Sequence, residues 1–150
     1  MFRLLILTLV VGCFAFSVFG QVELGRVGRR LGSGGCDEWI FLRNIGKGAM
    51  HEENAIMQTG QYCSQRIKIN GRAIALRTAK GFLPDRNWKV GRGGYEVFKG
   101  GNTTVRLTYV FTWLCPPDNE NCEVYYYKGI LDIRYKGFRK KVNVVGFGGS

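Results

Sequence analysis

The chain has 150 residues, and its 22 Lys and Arg against 11 Asp and Glu give a formal net charge of +11 at pH 7. Without an N-terminal leader, roughly 130 residues remain, a size that suits one domain with its own core. A charge this large predicts an anionic partner. The lack of a later long apolar stretch excludes a protein with several membrane-spanning helices.

Residues 1–20 predict a signal peptide. One early arginine precedes an apolar run, and the small residues Ser17 and Gly20 precede a cut site at Gln21. The alternative is a membrane anchor, but the run is short and no basic stop-transfer cluster follows it directly. We therefore expect a secreted, extracellular protein with no transmembrane anchor. In that compartment nucleic acid is not the expected partner.

Residues 21–35 are rich in glycine and arginine and predict a flexible arm. The stretch 26–30 resembles an Arg-x-x-Arg processing site, where cleavage would release a short propeptide. The alternative is an uncut basic tail. Residues 36–150 are expected to form a single β-domain.

Four cysteines remain after the leader: Cys36, Cys63, Cys115 and Cys122. In an exported domain they predict two disulfides, and three pairings are possible. Proximity favours Cys115–Cys122 and Cys36–Cys63. Zinc is the competing interpretation, but the spacings are not Cys-x-x-Cys and the only histidine, His51, has no cysteine beside it. We predict no metal and no cofactor.

The first part of the domain predicts short strands. Residues 39–42 are apolar and bounded by charges, and 49–57 is the only stretch that could be helical. Residues 64–78 form a hairpin pattern about Asn70-Gly71, a pair that favours a type I′ turn. Residues 79–94 read as a surface loop, and the next strand covers 95–99.

The clearest period-two pattern opens the stretch 104–128 and predicts a long hairpin. Two cysteines bracket its polar tip, and the chain returns through three tyrosines, 125–127. One face of the first strand carries a set of large apolar side chains, namely Val105, Leu107, Tyr109, Phe111 and Trp113.

Gly129 is expected to break the ladder, and residues 130–145 form a last hairpin about Lys136-Gly137. Residues 146–150 then close the chain. About seven candidate strands and at most one short helix predict an all-β fold. We expect an antiparallel β-sandwich or small barrel built from hairpins.

Catalytic patterns are weak. His51 stands alone beside two glutamates, which is not the spacing that places two imidazoles on one helical face. Paired carboxylates for glycoside hydrolysis stay open, yet none stands in a recognisable setting. The carboxylates available are Asp37, Glu38, Glu52, Glu53, Glu96, Glu120, Glu123 and Asp132. We predict a protein that is not an enzyme.

Binding has better support. Basic residues recur on the polar faces of two hairpins and predict a site for sulfate, carboxylate or phosphate groups. This candidate site comprises Arg66, Lys68, Arg72, Arg134, Lys136, Arg139, Lys140 and Lys141.

Two further surface features are predicted. Tyr125 and Tyr127 share a strand face and would form an aromatic surface for sugar rings, or alternatively cover the core. Asn102 lies in the only N-glycosylation sequon, at a predicted turn.

The sequence therefore predicts a basic structural component of the extracellular matrix that binds an acidic polymer, polysaccharide or mineral-associated surface. The alternatives are a cationic host-defence protein acting on microbial surfaces, or a carrier of a small apolar ligand. The sequence leaves the oligomeric state open.

Overall fold

A computed structural model describes residues 21–28, 37–60, 63–82, 88–119 and 121–149. The predicted signal peptide and residues 29–35 of the predicted arm lie outside these ranges. Residues 21–28 of that arm are packed on the sheet: Leu24 and Gly25 pair with Ile69 and Lys68, and Val22 is buried. The described residues form ten strands: β1 (Leu24–Gly25), β2 (Glu38–Leu42), β3 (Met57–Thr59), β4 (Arg66–Ile69), β5 (Arg72–Ala75), β6 (Arg77–Phe82), β7 (Gly93–Gly100), β8 (Thr103–Leu114), β9 (Val124–Tyr135) and β10 (Phe138–Gly149).

All ten strands belong to one antiparallel sheet. Its order is β5, β4, β3, β2, β10, β9, β8, β7, β6, with β1 beside β3 on the same edge of β4. From β2 onward, each strand therefore pairs with the next strand of the described chain, except that β5 does not pair with β6. The last strand, β10, returns to pair with β2. The sheet curls into a half-barrel. Of the two predicted architectures, the barrel is thus closer and the sandwich is wrong.

The concave face of the sheet holds the core. Alternate residues of the long strands point inward and are buried, as the period-two pattern of β8 predicts. Among the fully buried members are Phe98, Val105, Leu107, Leu131, Ile133 and Val144. Ile67 and Ile69 of β4 add to them.

The two predicted tight turns are confirmed. Asn70 and Gly71 have φ of 49° and 78°, as a type I′ turn requires of its two central residues. Lys136 and Gly137 repeat this with 48° and 86° between β9 and β10.

The expectation of at most one short helix is confirmed, because the stretch that could be helical, 49–57, contains no α-helix. The chain makes 3-10 turns at Lys47–Ala49 and Glu52–Asn54 and then enters β3. Two expectations about the extent of strands are wrong. The predicted loop from residue 79 begins as strand β6. Gly129 does not break the ladder, because β9 runs through it. Gly129 lies directly opposite Tyr109, and a Cβ there would overlap the Thr108 carbonyl oxygen.

The end of β8 also departs from the predicted alternation. The pairing passes from Phe111–Tyr127 to Trp113–Tyr126, so Thr112 is the extra residue of a β-bulge. The bulge reverses the side-chain parity, since one inserted residue shifts all later side chains to the other face. Trp113 was expected in the core but lies on the convex face, 43% exposed.

The predicted disulfide between Cys115 and Cys122 is present and closes the tip of the β8–β9 hairpin. Cys63 is also disulfide-bonded, but its predicted partner Cys36 lies outside the described residues, so that pairing stays a prediction. Within the described ranges, no helix has the length and apolar character needed to cross a membrane.

Candidate functional site

Seven exposed cations lie on the convex face near the β9–β10 turn. The strand registers place Arg77, Lys99, Thr104, Arg134 and Arg139 in one row across β6 to β10. Lys80, Val97, Arg106, Asp132 and Lys141 form the next row. We call these seven cations the basic face: Arg77, Lys80, Lys99, Arg106, Arg134, Arg139 and Lys141.

One carboxylate lies within the basic face. Asp132 accepts hydrogen bonds from Nε of Arg139, at 2.8 Å, and from its Nη2. Lys141 Nζ lies 4.0 Å from the same carboxylate. The hydrogen bond from Arg139 lowers the pKa of Asp132, so this group stays ionised and offsets part of the Arg139 charge. The face therefore keeps a strong excess of positive charge.

The structure brings together three of the residues predicted to bind an anionic partner. Arg134, Arg139 and Lys141 share the basic face, and Lys136 is exposed in the adjoining turn. Lys140 does not join them, because it alternates to the opposite side and its Nζ donates to the Val22 carbonyl at 2.7 Å. The predicted triplet 139–141 is therefore divided between two faces of the strand.

The β4–β5 hairpin does not present its predicted cations on one shared face. Arg66 donates through Nε and Nη2 to Oε1 of Gln58, at 3.0 and 2.8 Å. The stem of Lys68 lies against Gly25. Arg72 is exposed but pairs with the buried Ile69, so it belongs to the opposite parity of the sheet.

Four members of the basic face were absent from the predicted site: Arg77, Lys80, Lys99 and Arg106. The sequence could have predicted that Lys99 and Arg106 point outward, since both alternate with buried positions of their strands. Their proximity to Arg134 depends on the register of β7, β8 and β9. Lys80 lies in a stretch that was predicted to be a loop.

The other end of the convex face is aromatic. Trp113, Tyr126, Phe147 and Trp39 form a row across β8, β9, β10 and β2. Their neighbouring ring centroids are 5.7, 6.0 and 5.3 Å apart. Beside this row is a groove of about 700 Å³, the aromatic groove, lined by Trp113, Tyr126, Phe147, Arg43, Ile45, Met50, Thr112 and Val145 among others.

The tyrosines predicted as an aromatic surface occupy the concave side. Tyr127 is 2% exposed, so the expectation of a surface role is wrong for it. Its hydroxyl donates to Oε1 of Glu38 at 2.6 Å, and that of the half-buried Tyr125 lies 3.4 Å from Oε2. The alternative, that these residues cover the core, describes Tyr127 correctly. The exposed member of the triplet is Tyr126.

Two glycines allow this arrangement. Gly146 and Gly148 of β10 lie opposite Tyr127 and Tyr125, between β9 and the strand that carries Glu38. A Cβ at Gly146 would overlap the Tyr127 ring, and one at Gly148 would overlap the Tyr125 ring. The rings therefore cross the bare backbone of β10 to reach the carboxyl group.

Burial raises the pKa of Glu38 to about 7, against the lowering effect of the Tyr127 hydrogen bond. The nearby Glu96 and Asp37 raise it further by charge repulsion. Burial also raises the pKa of Glu96. Of the carboxylates named as open candidates, Glu96 thus contributes to the raised pKa of Glu38 on the concave side. Because both Glu38 oxygens face tyrosine hydroxyls, this cluster is well suited to a structural role.

Of the remaining candidates, His51 and Asn102 are on the surface, and Glu120 lies outside the described residues. His51 is exposed and precedes the second 3-10 turn, with no side-chain cap there. Across the described ranges, no three His, Cys, Asp or Glu side chains are grouped so that they could hold a metal ion. Asn102 is exposed in the β7–β8 turn, and its glycosylation stays a prediction.

No protein-family model, no curated protein and no solved structure matches this chain.

Proposed function

We propose that this protein binds an acidic extracellular polymer, a polyanionic polysaccharide, through the basic face. The observation that carries the proposal is the alignment of seven exposed cations from five neighbouring strands. Adjacent strands lie about 4.8 Å apart, so these side chains can contact successive sulfate or carboxylate groups at once. A rigid sheet loses little entropy on binding, which favours recognition of a repeating charged chain.

The interior of the half-barrel favours surface binding over carriage of an apolar ligand. Phe98, Leu107, Leu131 and Ile133 are fully buried and fill the concave side. The Cys115–Cys122 disulfide is compatible with the oxidising compartment that the proposal requires.

The test replaces three exposed cations of the basic face by glutamine: Lys99, Arg134 and Lys141. This choice keeps the Arg139–Asp132 pair intact. Each cation contributes about 1 kcal/mol near an anionic surface, so we expect binding to an immobilised sulfated polysaccharide to weaken roughly 100-fold at low salt. The slope of log affinity against log salt should also fall.

The matched control replaces Arg72, Lys89 and Arg92 by glutamine, which removes the same charge from exposed positions outside the basic face. We expect at most a few-fold loss from long-range charge. An equal loss in both variants would mean that net charge alone drives retention, and would refute a defined site.

A further inference from the structure

We infer that the aromatic groove holds a sugar ring of the same polyanion, which makes the convex face one extended polysaccharide site. This inference rests on the proposed function. It adds a second binding position, the aromatic groove, and states that a sugar ring of the polysaccharide binds there. Trp113 and Tyr126 are 43% and 41% exposed, although each already contacts another ring of the row. Exposed aromatic rings grouped beside a groove are typical of binding sites.

The chemistry of the groove fits a charged pyranose. A sugar ring has an apolar C–H face that packs on aromatic rings and a polar edge that needs hydrogen-bond partners. The groove combines the rings with Thr112, the residue inserted by the bulge, and with the Arg43 guanidinium. Arg43 supplies a cation for a carboxylate or sulfate on that ring.

The groove and the basic face are joined along one strand. The outward residues of β9 run from Tyr126 through Lys128, Ile130 and Asp132 to Arg134. These eight steps span roughly 26 Å at about 3.3 Å per residue. Lys128 is exposed between the two regions and continues the positive charge toward the groove. A single extended polyanion can therefore lie along β9 and reach both.

The test measures binding of a heparin-derived octasaccharide and of a neutral chitin octasaccharide to the full chain. Trp113→Ala removes no charge, so we expect about tenfold weaker binding of the sulfated probe with an unchanged salt slope. Binding of the neutral probe should be weak in the native protein and lost in the variant. Trp113→Phe keeps an aromatic face and should restore most of the affinity.

Two controls separate the groove from general effects. Phe138→Ala truncates another exposed aromatic residue, 44% exposed and of the opposite strand parity, and should bind both probes like the native protein. In NMR spectra, the indole N–H of Trp113 should shift on addition of the octasaccharide. That of Trp88, which stacks on the core residue Phe111, should stay in place.

Distinct results would overturn the inference. Native-like binding by Trp113→Ala, combined with loss in the Lys99, Arg134 and Lys141 variant, would refute the groove and leave the proposed function standing. No binding of the sulfated probe by the native protein would refute the proposed function itself. Displacement of an apolar dye from the groove by a fatty acid, and not by either octasaccharide, would also refute a sugar site.

Discussion

The two halves of the concave face solve the same packing problem in different ways. In the half near the β9–β10 turn, Val105, Leu107, Leu131 and Ile133 fill the space with aliphatic side chains. In the half near the disulfide, tyrosines lie opposite glycines and reach a carboxyl group. We call these the aliphatic half and the tyrosine half. Packing in the aliphatic half depends on side-chain volume. Packing in the tyrosine half depends on glycines that carry no side chain and on hydrogen bonds.

The tyrosine half shows how a sheet can bury an acid. Three tyrosine–glycine pairs lie directly across from one another: Tyr109 with Gly129, Tyr127 with Gly146, and Tyr125 with Gly148. The missing side chains give the rings room to lie flat along the sheet. Two of the rings then shield and bind Glu38, whose protonated form is favoured by the surroundings.

The largest effect is expected in the aliphatic half. Leu131→Ala removes a fully buried side chain and leaves a cavity among well-packed neighbours. We expect a loss of about 2–5 kcal/mol in the free energy of unfolding, measured by denaturant titration. Ile130→Ala is the neighbouring control, since Ile130 is 46% exposed on the convex face and should cost far less. Equal losses would mean that the interior is not packed as described.

The second prediction concerns pH and the tyrosine half. The pKa of Glu38 is raised from 4.5 to about 7 in the folded protein. Between these values the folded state keeps a proton that the unfolded chain has released, so stability falls as pH rises through this window. Below this pH window, the burial of Glu38 does not lower the free energy of unfolding. Above the window the full decrease is reached, about 3 kcal/mol.

Glu38→Gln should remove this pH dependence while keeping an oxygen acceptor for Tyr127. We compare the unfolding free energies of the variant and the native protein at pH 4 and at pH 8. Relative to their difference at pH 4, we expect the variant to be up to about 3 kcal/mol more stable at pH 8. Denaturant titrations at both pH values give this double difference. Glu53→Gln is the control at an exposed position. A double difference near zero would show that Glu38 is not held in its neutral form.

The two halves also differ in how far the sequence predicts them. Alternation in β8 identified Val105, Leu107, Tyr109 and Phe111 as inward residues, because burial on one face follows directly from the period of a strand. The pattern did not identify the bulge at Thr112, so Trp113 was placed in the core. A bulge depends on how the partner strand pairs, which no local pattern contains.

Only part of the candidate site was predicted, because a local pattern gives the side of a strand but not its pairing partners. Arg134, Arg139 and Lys141 were named from one hairpin, whose turn and register the sequence defines well. Lys140 was named with them because charge was counted along the chain, although parity alone assigns it to the other face. The contribution of Arg77 and Lys99 needed the order of five strands, which arises from long-range pairing.

The smallest of the three effects tests the bare backbone of the tyrosine half. Gly146→Ala places a methyl group where the Tyr127 ring now lies, and that ring is enclosed by Tyr109 and Tyr125. The ring must move away and lose its 2.6 Å hydrogen bond to Glu38. We expect a loss of roughly 2 kcal/mol in unfolding free energy.

Gly46→Ala provides the matched control, because a Cβ at Gly46 meets nothing within 4 Å. It should leave stability within about 0.5 kcal/mol of the native value. A double variant, Gly146→Ala with Tyr127→Phe, separates the effect of the steric overlap from that of the lost hydrogen bond to Glu38. Phe keeps the ring of residue 127 but has no hydroxyl group. If the two losses add fully, the methyl group does not act through the Tyr127–Glu38 contact. A double variant little worse than Gly146→Ala alone would show that the glycine is needed so that the hydroxyl can reach the acid.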